Sequence, residues 1–238
     1  MQQPAPTAPA NAKTAKVWDL PTRLFHWLLV ILVVAMVGTG LTGKLEQHMV
    51  IGQALLALLL FRLIWGFVGN RQARFTDFLA GPGAALAYLR GLIGGGNKPG
   101  HDGGYVGHNP VGGYAVFAML GLLLLQAVSG LFTSDDFVYD GPLYSLVPSS
   151  VGAQMSSIHR ITIDAIYIVV GVHLLATLFY LLVKRENLVK PMVTGDKQLP
   201  AEQAAAITAS AQGPGNLVAA ILFALCLAVV FGGIALLR

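Results

Sequence analysis

Residues 158–183 read IHRITIDAIYIVVGVHLLATLFYLLV. A bilayer crossing takes roughly 20 mostly apolar residues, and this run supplies them, yet it carries two histidines, His159 and His173. They stand 14 residues apart. That is close to four helical turns, so both project from one helix face, and at about 1.5 Å per residue they differ in depth by roughly 21 Å. Ionisable side chains at membrane depth are expensive and usually functional, although a lone histidine also serves as a hydrogen bond in helix packing.

Outward from this run, four more apolar stretches have the length of a span: residues 24–41, 48–68, 113–132 and 217–237. The bulk composition agrees, with 55% hydrophobic and only 11% charged residues, where a soluble domain carries about a quarter charged. The expected fold is therefore an all-α integral membrane protein, a four-helix bundle followed by a fifth C-terminal transmembrane helix. The expected divisions are a disordered tail (1–15), a four-span core (16–195), a linker (196–215) and the fifth helix (216–238). The first apolar run is too long, and its flanks are wrong, for a cleaved signal peptide. Residues 69–112 are rich in glycine, and within them 78–93 is expected to lie at the membrane interface. Asn109 and Pro110 are placed as N-cap and first residue of the third spanning helix.

Charge sets the expected orientation. Lys13, Lys16, Arg23, Arg71, Arg74, Arg90, Lys98, Lys184, Arg185, Lys190 and Lys197 fall on one side, and Lys44, Arg160 and Arg238 on the other. The richer side faces the cytoplasm. The N-terminus is expected inside and the C-terminus in the periplasm of a bacterial inner membrane. The net charge of +4 includes no dense basic cluster interleaved with aromatics, which excludes a nucleic-acid partner; the partner of this surface is lipid. The acidic loop holding Asp135, Asp136 and Asp140 falls outside. It could steer a basic partner, but translocated loops avoid Lys and Arg anyway, which accounts for the acidic residue more simply.

With this orientation the histidines fall into level pairs. His26 opens the first span near the inner face, and His48 opens the second near the outer face. His159 matches His48 in depth, and His173, four turns deeper, matches His26. One imidazole from each of two facing helices is what axial ligation of a haem iron needs. Zinc wants about four ligands, more than each level offers; copper is not excluded by ligand type. The single cysteine, Cys226, and the lack of any Cys-x-x-Cys-His exclude thiolate clusters and covalent haem attachment. Gly38, Gly40, Gly52 and Gly171 lie near these positions, where glycine makes room for a planar group or for close helix packing. Arg62 repeats the 14-residue spacing from His48; it suits a haem propionate or snorkels to the interface. Arg160, beside His159, meets an outer propionate or pairs with Asp164 four residues on. Trp27 and Trp65 read as interfacial anchors. His108 reads as part of a helix cap or as the lining of a proton path or quinone pocket.

The segment Lys16-Val17-Trp18-Asp19-Leu20-Pro21-Thr22-Arg23-Leu24-Phe25-His26-Trp27 resembles the opening motif of the bacterial cytochrome b561 family, which includes the cytochrome b subunits of nickel-iron hydrogenases. Leu60-Phe61-Arg62-Leu63-Ile64-Trp65-Gly66-Phe67-Val68-Gly69, Gly107-His108-Asn109-Pro110 and Arg185-Glu186-Asn187-Leu188 are similar to the same family. The resemblance covers residues 16–195. It implies two haem b groups, with ligands on the first, second and fourth spans, places filled here by His26, His48, His159 and His173. It also implies exchange of electrons with a quinone and a redox partner such as a periplasmic cytochrome c. The fifth span departs from the four-span pattern and leaves a homo-oligomer open. Arg160 stands where the family pattern leads to an acidic residue. Three functions compete: an electron-transfer subunit, which is favoured over a stand-alone enzyme; a superoxide:quinone oxidoreductase; and a non-redox metal-binding membrane protein.

Overall fold

The computed structural model describes residues 11–93, 106–135, 139–209 and 213–237. Five of its helices are long and apolar enough to cross a membrane: α1 (Leu20–Leu41), α2 (Leu45–Val68), α5 (Pro110–Gly130), α6 (Ser149–Leu182) and α9 (Asn216–Leu237). They match the five expected spans to within a few residues, except that α6 begins nine residues before residue 158. Its first turns, SSVGAQMSS, are too polar for a span, so apolarity alone misses them. Pro148 starts the helix, its carbonyl accepting from Val151 and Gly152, and the Tyr144 ring lies where a side chain on Gly152 would stand.

Short elements fill the connections: α3 (Phe75–Phe78), α4 (Pro82–Ile93), α7 (Val189–Thr194) and α8 (Ala201–Ala209), with strands β1 (Ala12–Lys16) and β2 (Asp196–Pro200). By contact, the chain divides into two units: Met1–Arg23 with Trp65–Phe117 and Gly171–Pro214, and Leu24–Ile64 with Ala118–Val170 and Gly215–Arg238.

In the first unit the last residues of the expected tail and most of the expected linker contain structure, while residues 1–10 and 210–212 lie outside the described residues. β1 pairs antiparallel with β2, Ala12 opposite Pro200 and Lys16 opposite Asp196. Helix α8 closes a small core of Ala15, Val17, Trp18, Leu199, Ala204 and Ile207. These segments look polar and irregular because each buries only one thin face, and their pairing spans the length of the chain. The third spanning helix starts as expected: the Asn109 side-chain oxygen accepts the Gly112 N–H at 2.7 Å, with Pro110 the first helical residue. The start of α1 is fixed by Asp19. One carboxylate oxygen accepts the Thr22 N–H (2.9 Å) and the other the Trp65 indole N–H (3.1 Å). Trp65 is therefore 0% exposed, not the interfacial anchor its composition suggests. Arg23 donates to the Val193 carbonyl at 2.6 Å.

In the second unit α1 ends in a Schellman turn. Lys44 N–H bonds the Thr39 carbonyl and Gly43 N–H the Gly40 carbonyl, with Gly43 at φ +67; that left-handed position favours glycine. The turn reverses the chain and lays the start of α2 along the end of α1. Helix α9 packs Phe223 edge-on against Phe61 of α2 and buries the narrow seam Ala219, Cys226, Val230 and Ile234.

Candidate functional site

His48, in the first turn of α2, folds back on α1. Its Nδ1 lies 3.0 Å from the Met36 carbonyl and 3.2 Å from Thr39 Oγ1. His159, on α6, does the same against α5: its Nδ1 lies 2.9 Å from the Gln126 carbonyl and 3.3 Å from Ser129 Oγ. A carbonyl can only accept, so each Nδ1 carries the proton. Each hydroxyl already donates to its own helix, Thr39 to the Ala35 carbonyl at 2.7 Å and Ser129 to the Gln126 carbonyl at 3.1 Å. Toward Nδ1 both hydroxyl oxygens therefore accept. Both rings thus keep a lone pair on Nε2, the arrangement that metal-ligating histidines adopt.

The two ring centroids are 6.3 Å apart with planes at 81°. Two imidazoles on opposite sides of one metal, at about 2 Å each, place their centroids roughly 6 Å apart. The centroid separation is thus the one that two imidazoles would show if they held a single iron between them. Among the described residues no group of three or more His, Cys, Asp or Glu side chains converges, so nothing in them supplies the fuller protein ligand set that a zinc ion takes. The equatorial donors of a haem come from the macrocycle, so two histidines suffice.

His26 belongs to the second unit and lies edge-on to Trp27, centroids 5.1 Å apart. His173 belongs to the first unit, on the stretch of α6 where its own carbonyl accepts from Thr177. Their match rests on the helical register of the sequence. Arg62 is 3% exposed, with its guanidinium 5.9 Å from the Phe25 ring centroid; a group so enclosed by protein does not snorkel. Arg160 is exposed, and the described ion pairs, Arg71–Asp77 and Lys197–Glu186, do not include one to Asp164. His108 packs between Trp18 and Phe78, at centroid distances of 4.9 and 4.5 Å. The cap itself is the work of Asn109. Asn109 also donates to the Tyr180 hydroxyl (3.2 Å), which bonds the Tyr88 hydroxyl. Asp135 and Asp140 flank the loop between α5 and α6; Asp136 lies outside the described residues.

Met36, Thr39, Gln126, Ser129 and Gly130 do not stand out in the sequence. The only signal was a small hydroxylic residue followed by glycine, Thr39-Gly40 and Ser129-Gly130, a pattern that ordinary helix packing in lipid also produces.

Long apolar helices and a pair of Nδ1-anchored imidazoles are what a membrane cytochrome of the b type requires. The chain belongs to the prokaryotic cytochrome b561 family, whose model matches residues 17–195; β1, β2, α8 and α9 lie outside the match. It is 25% identical to a probable Ni/Fe-hydrogenase B-type cytochrome subunit of Rhizobium leguminosarum bv. viciae, over 76% of this chain and 87% of that one. It is 23% identical to the protein of the same description from Bradyrhizobium diazoefficiens, over 78% of this chain and 86% of that one. No solved structure matches.

Proposed function

We propose that this multi-pass membrane cytochrome carries electrons between a redox partner on the periplasmic side and the quinone pool, through two bis-histidine haems. The observation that carries the reading is the His48–His159 pair, 6.3 Å between centroids, with both Nδ1 protons held by main-chain carbonyls. A haem bound there supplies a one-electron ferric–ferrous couple. The protein residues orient the imidazoles and fix their tautomer. His26 and His173 are the second ligand pair, on the register of the first and fourth spans and on the family resemblance. Arg62 is the candidate partner of an inner propionate, which its burial favours, and Arg160 of an outer one.

The relatives described as hydrogenase cytochrome subunits favour a hydrogenase as the electron donor over a soluble cytochrome c. The distribution of Lys and Arg supports a cytoplasmic N-terminus and a periplasmic C-terminus. The test is a reduced-minus-oxidised spectrum of the purified protein with a haem count, followed by mixing the reduced protein with a soluble quinone. Two b-type haems per chain, oxidised by the quinone, are expected. A colourless protein from haem-replete cells, or haems that quinone leaves reduced, would overturn the reading.

A further inference from the structure

The helix pairs α1–α2 and α5–α6 hold their histidines with the same device. On each supporting helix a carbonyl and, three residues later, a hydroxyl accept the imidazole Nδ1–H, and the next residue is glycine: Met36, Thr39 and Gly40 around His48, and Gln126, Ser129 and Gly130 around His159. The glycines belong to the device. A Cβ on Gly130 would stand 2.9 Å from His159 Cε1, and one on Gly40 would stand 3.3 Å from His48 Cε1. By contrast, a Cβ on Gly38 or Gly121 would meet nothing within 4 Å. Ser129 is 0% exposed, so no water competes for its oxygen.

We infer that Thr39 and Ser129 are positioning residues which set the electron-donor strength of His48 and His159, and so the midpoint potential of the one haem that these histidines share. This rests on the ligand reading above. An acceptor on Nδ1–H increases the negative character of the imidazole, which favours ferric over ferrous iron; removing the acceptor favours ferrous iron and raises the potential. Outer partners of metal-bound histidines change metal affinity by about 10- to 100-fold. Loss of one of two acceptors should shift the redox equilibrium by up to about tenfold, 59 mV for a one-electron couple.

The test is a potentiometric titration of the full-length, haem-loaded protein, with haem content and low-spin EPR signals as companion readouts. Thr39→Val keeps the side-chain shape and loses the acceptor, whereas Thr39→Ser keeps the acceptor and loses a methyl group. The expected result is a raised potential for one haem in Thr39→Val and a value near wild type in Thr39→Ser. Ser129→Ala should raise the same haem, and the double variant should raise it further. A merely structural role would disturb Thr39→Ser at least as much as Thr39→Val, and that outcome overturns the inference. So do unmoved potentials with haem content retained, or shifts that fall on different haems. If Ser129→Ala loses haem, the Thr39 pair alone decides. The ligand reading fails separately, if His159→Ala keeps both haems.

Discussion

Asp19 shows how one residue can serve two distant parts of the chain. Its carboxylate caps α1 through Thr22 and holds the indole of Trp65, 46 residues away. The conspicuous opening motif, with Trp18 in the core of the small sheet and Asp19 as clamp, is thus largely a device for seating α1, the helix that carries His26, Thr39 and Gly40. Loss of a cap costs about 0.5–2 kcal/mol, and loss of a hydrogen bond to a buried donor about 1–3 kcal/mol. Asp19→Ala should therefore lower stability by about 2–4 kcal/mol, whereas Asp19→Asn, which keeps the capping oxygen but turns an NH2 donor toward the indole N–H, should still lose about 1–3 kcal/mol. Thermal loss of the haem absorbance in detergent measures both. At this scale the histidines were legible because a titratable group in lipid stands out against its surroundings. Thr39 and Ser129 were not: a small hydroxylic residue is unremarkable in a membrane helix, and only the return of His48 and His159 onto neighbouring helices gives them a role.

Among the elements, the five spanning helices were legible, since lipid demands long apolar runs and closed backbone hydrogen bonding. The start of α6 was not, because its first turns obey the rules of a polar surface. Nor were β1, β2 and α8, whose shared core of Trp18, Leu199, Ala204 and Ile207 is assembled from opposite ends of the chain. That core makes the small sheet a folded element rather than two tails. Ile207→Asp would bury a carboxylate with no partner among these apolar side chains, at a cost of several kcal/mol. Limited proteolysis should then cut within residues 196–209 while the haem spectrum stays intact; protection equal to wild type would contradict the role assigned to this core.

For the molecule as a whole, the distribution of charge carries the proposed orientation. Eleven Lys and Arg residues fall on the side assigned to the cytoplasm and three on the other, a bias of the kind that sets topology in membrane proteins. Five spans then put the two ends of the chain on opposite faces. An alkaline phosphatase fused after Leu237, active only in the periplasm, should be active, and the same enzyme fused after Lys184 should be silent. The reverse pattern would invert the bundle and exchange the outer and inner haem assignments, without disturbing the pairing of ligands.

Both haem assignments stand or fall with that pairing, and the haem content of two single variants decides it. His48 and His159 sit on different helices, 111 residues apart in sequence, yet they are assigned to one iron. Purified His48→Ala and His159→Ala should each lose, or convert to high spin, the same one of two b-type haems, as judged by midpoint potential and EPR signal, and should keep the other. Loss of different haems in the two variants, or retention of both low-spin haems in either, would show that the two histidines do not share an iron.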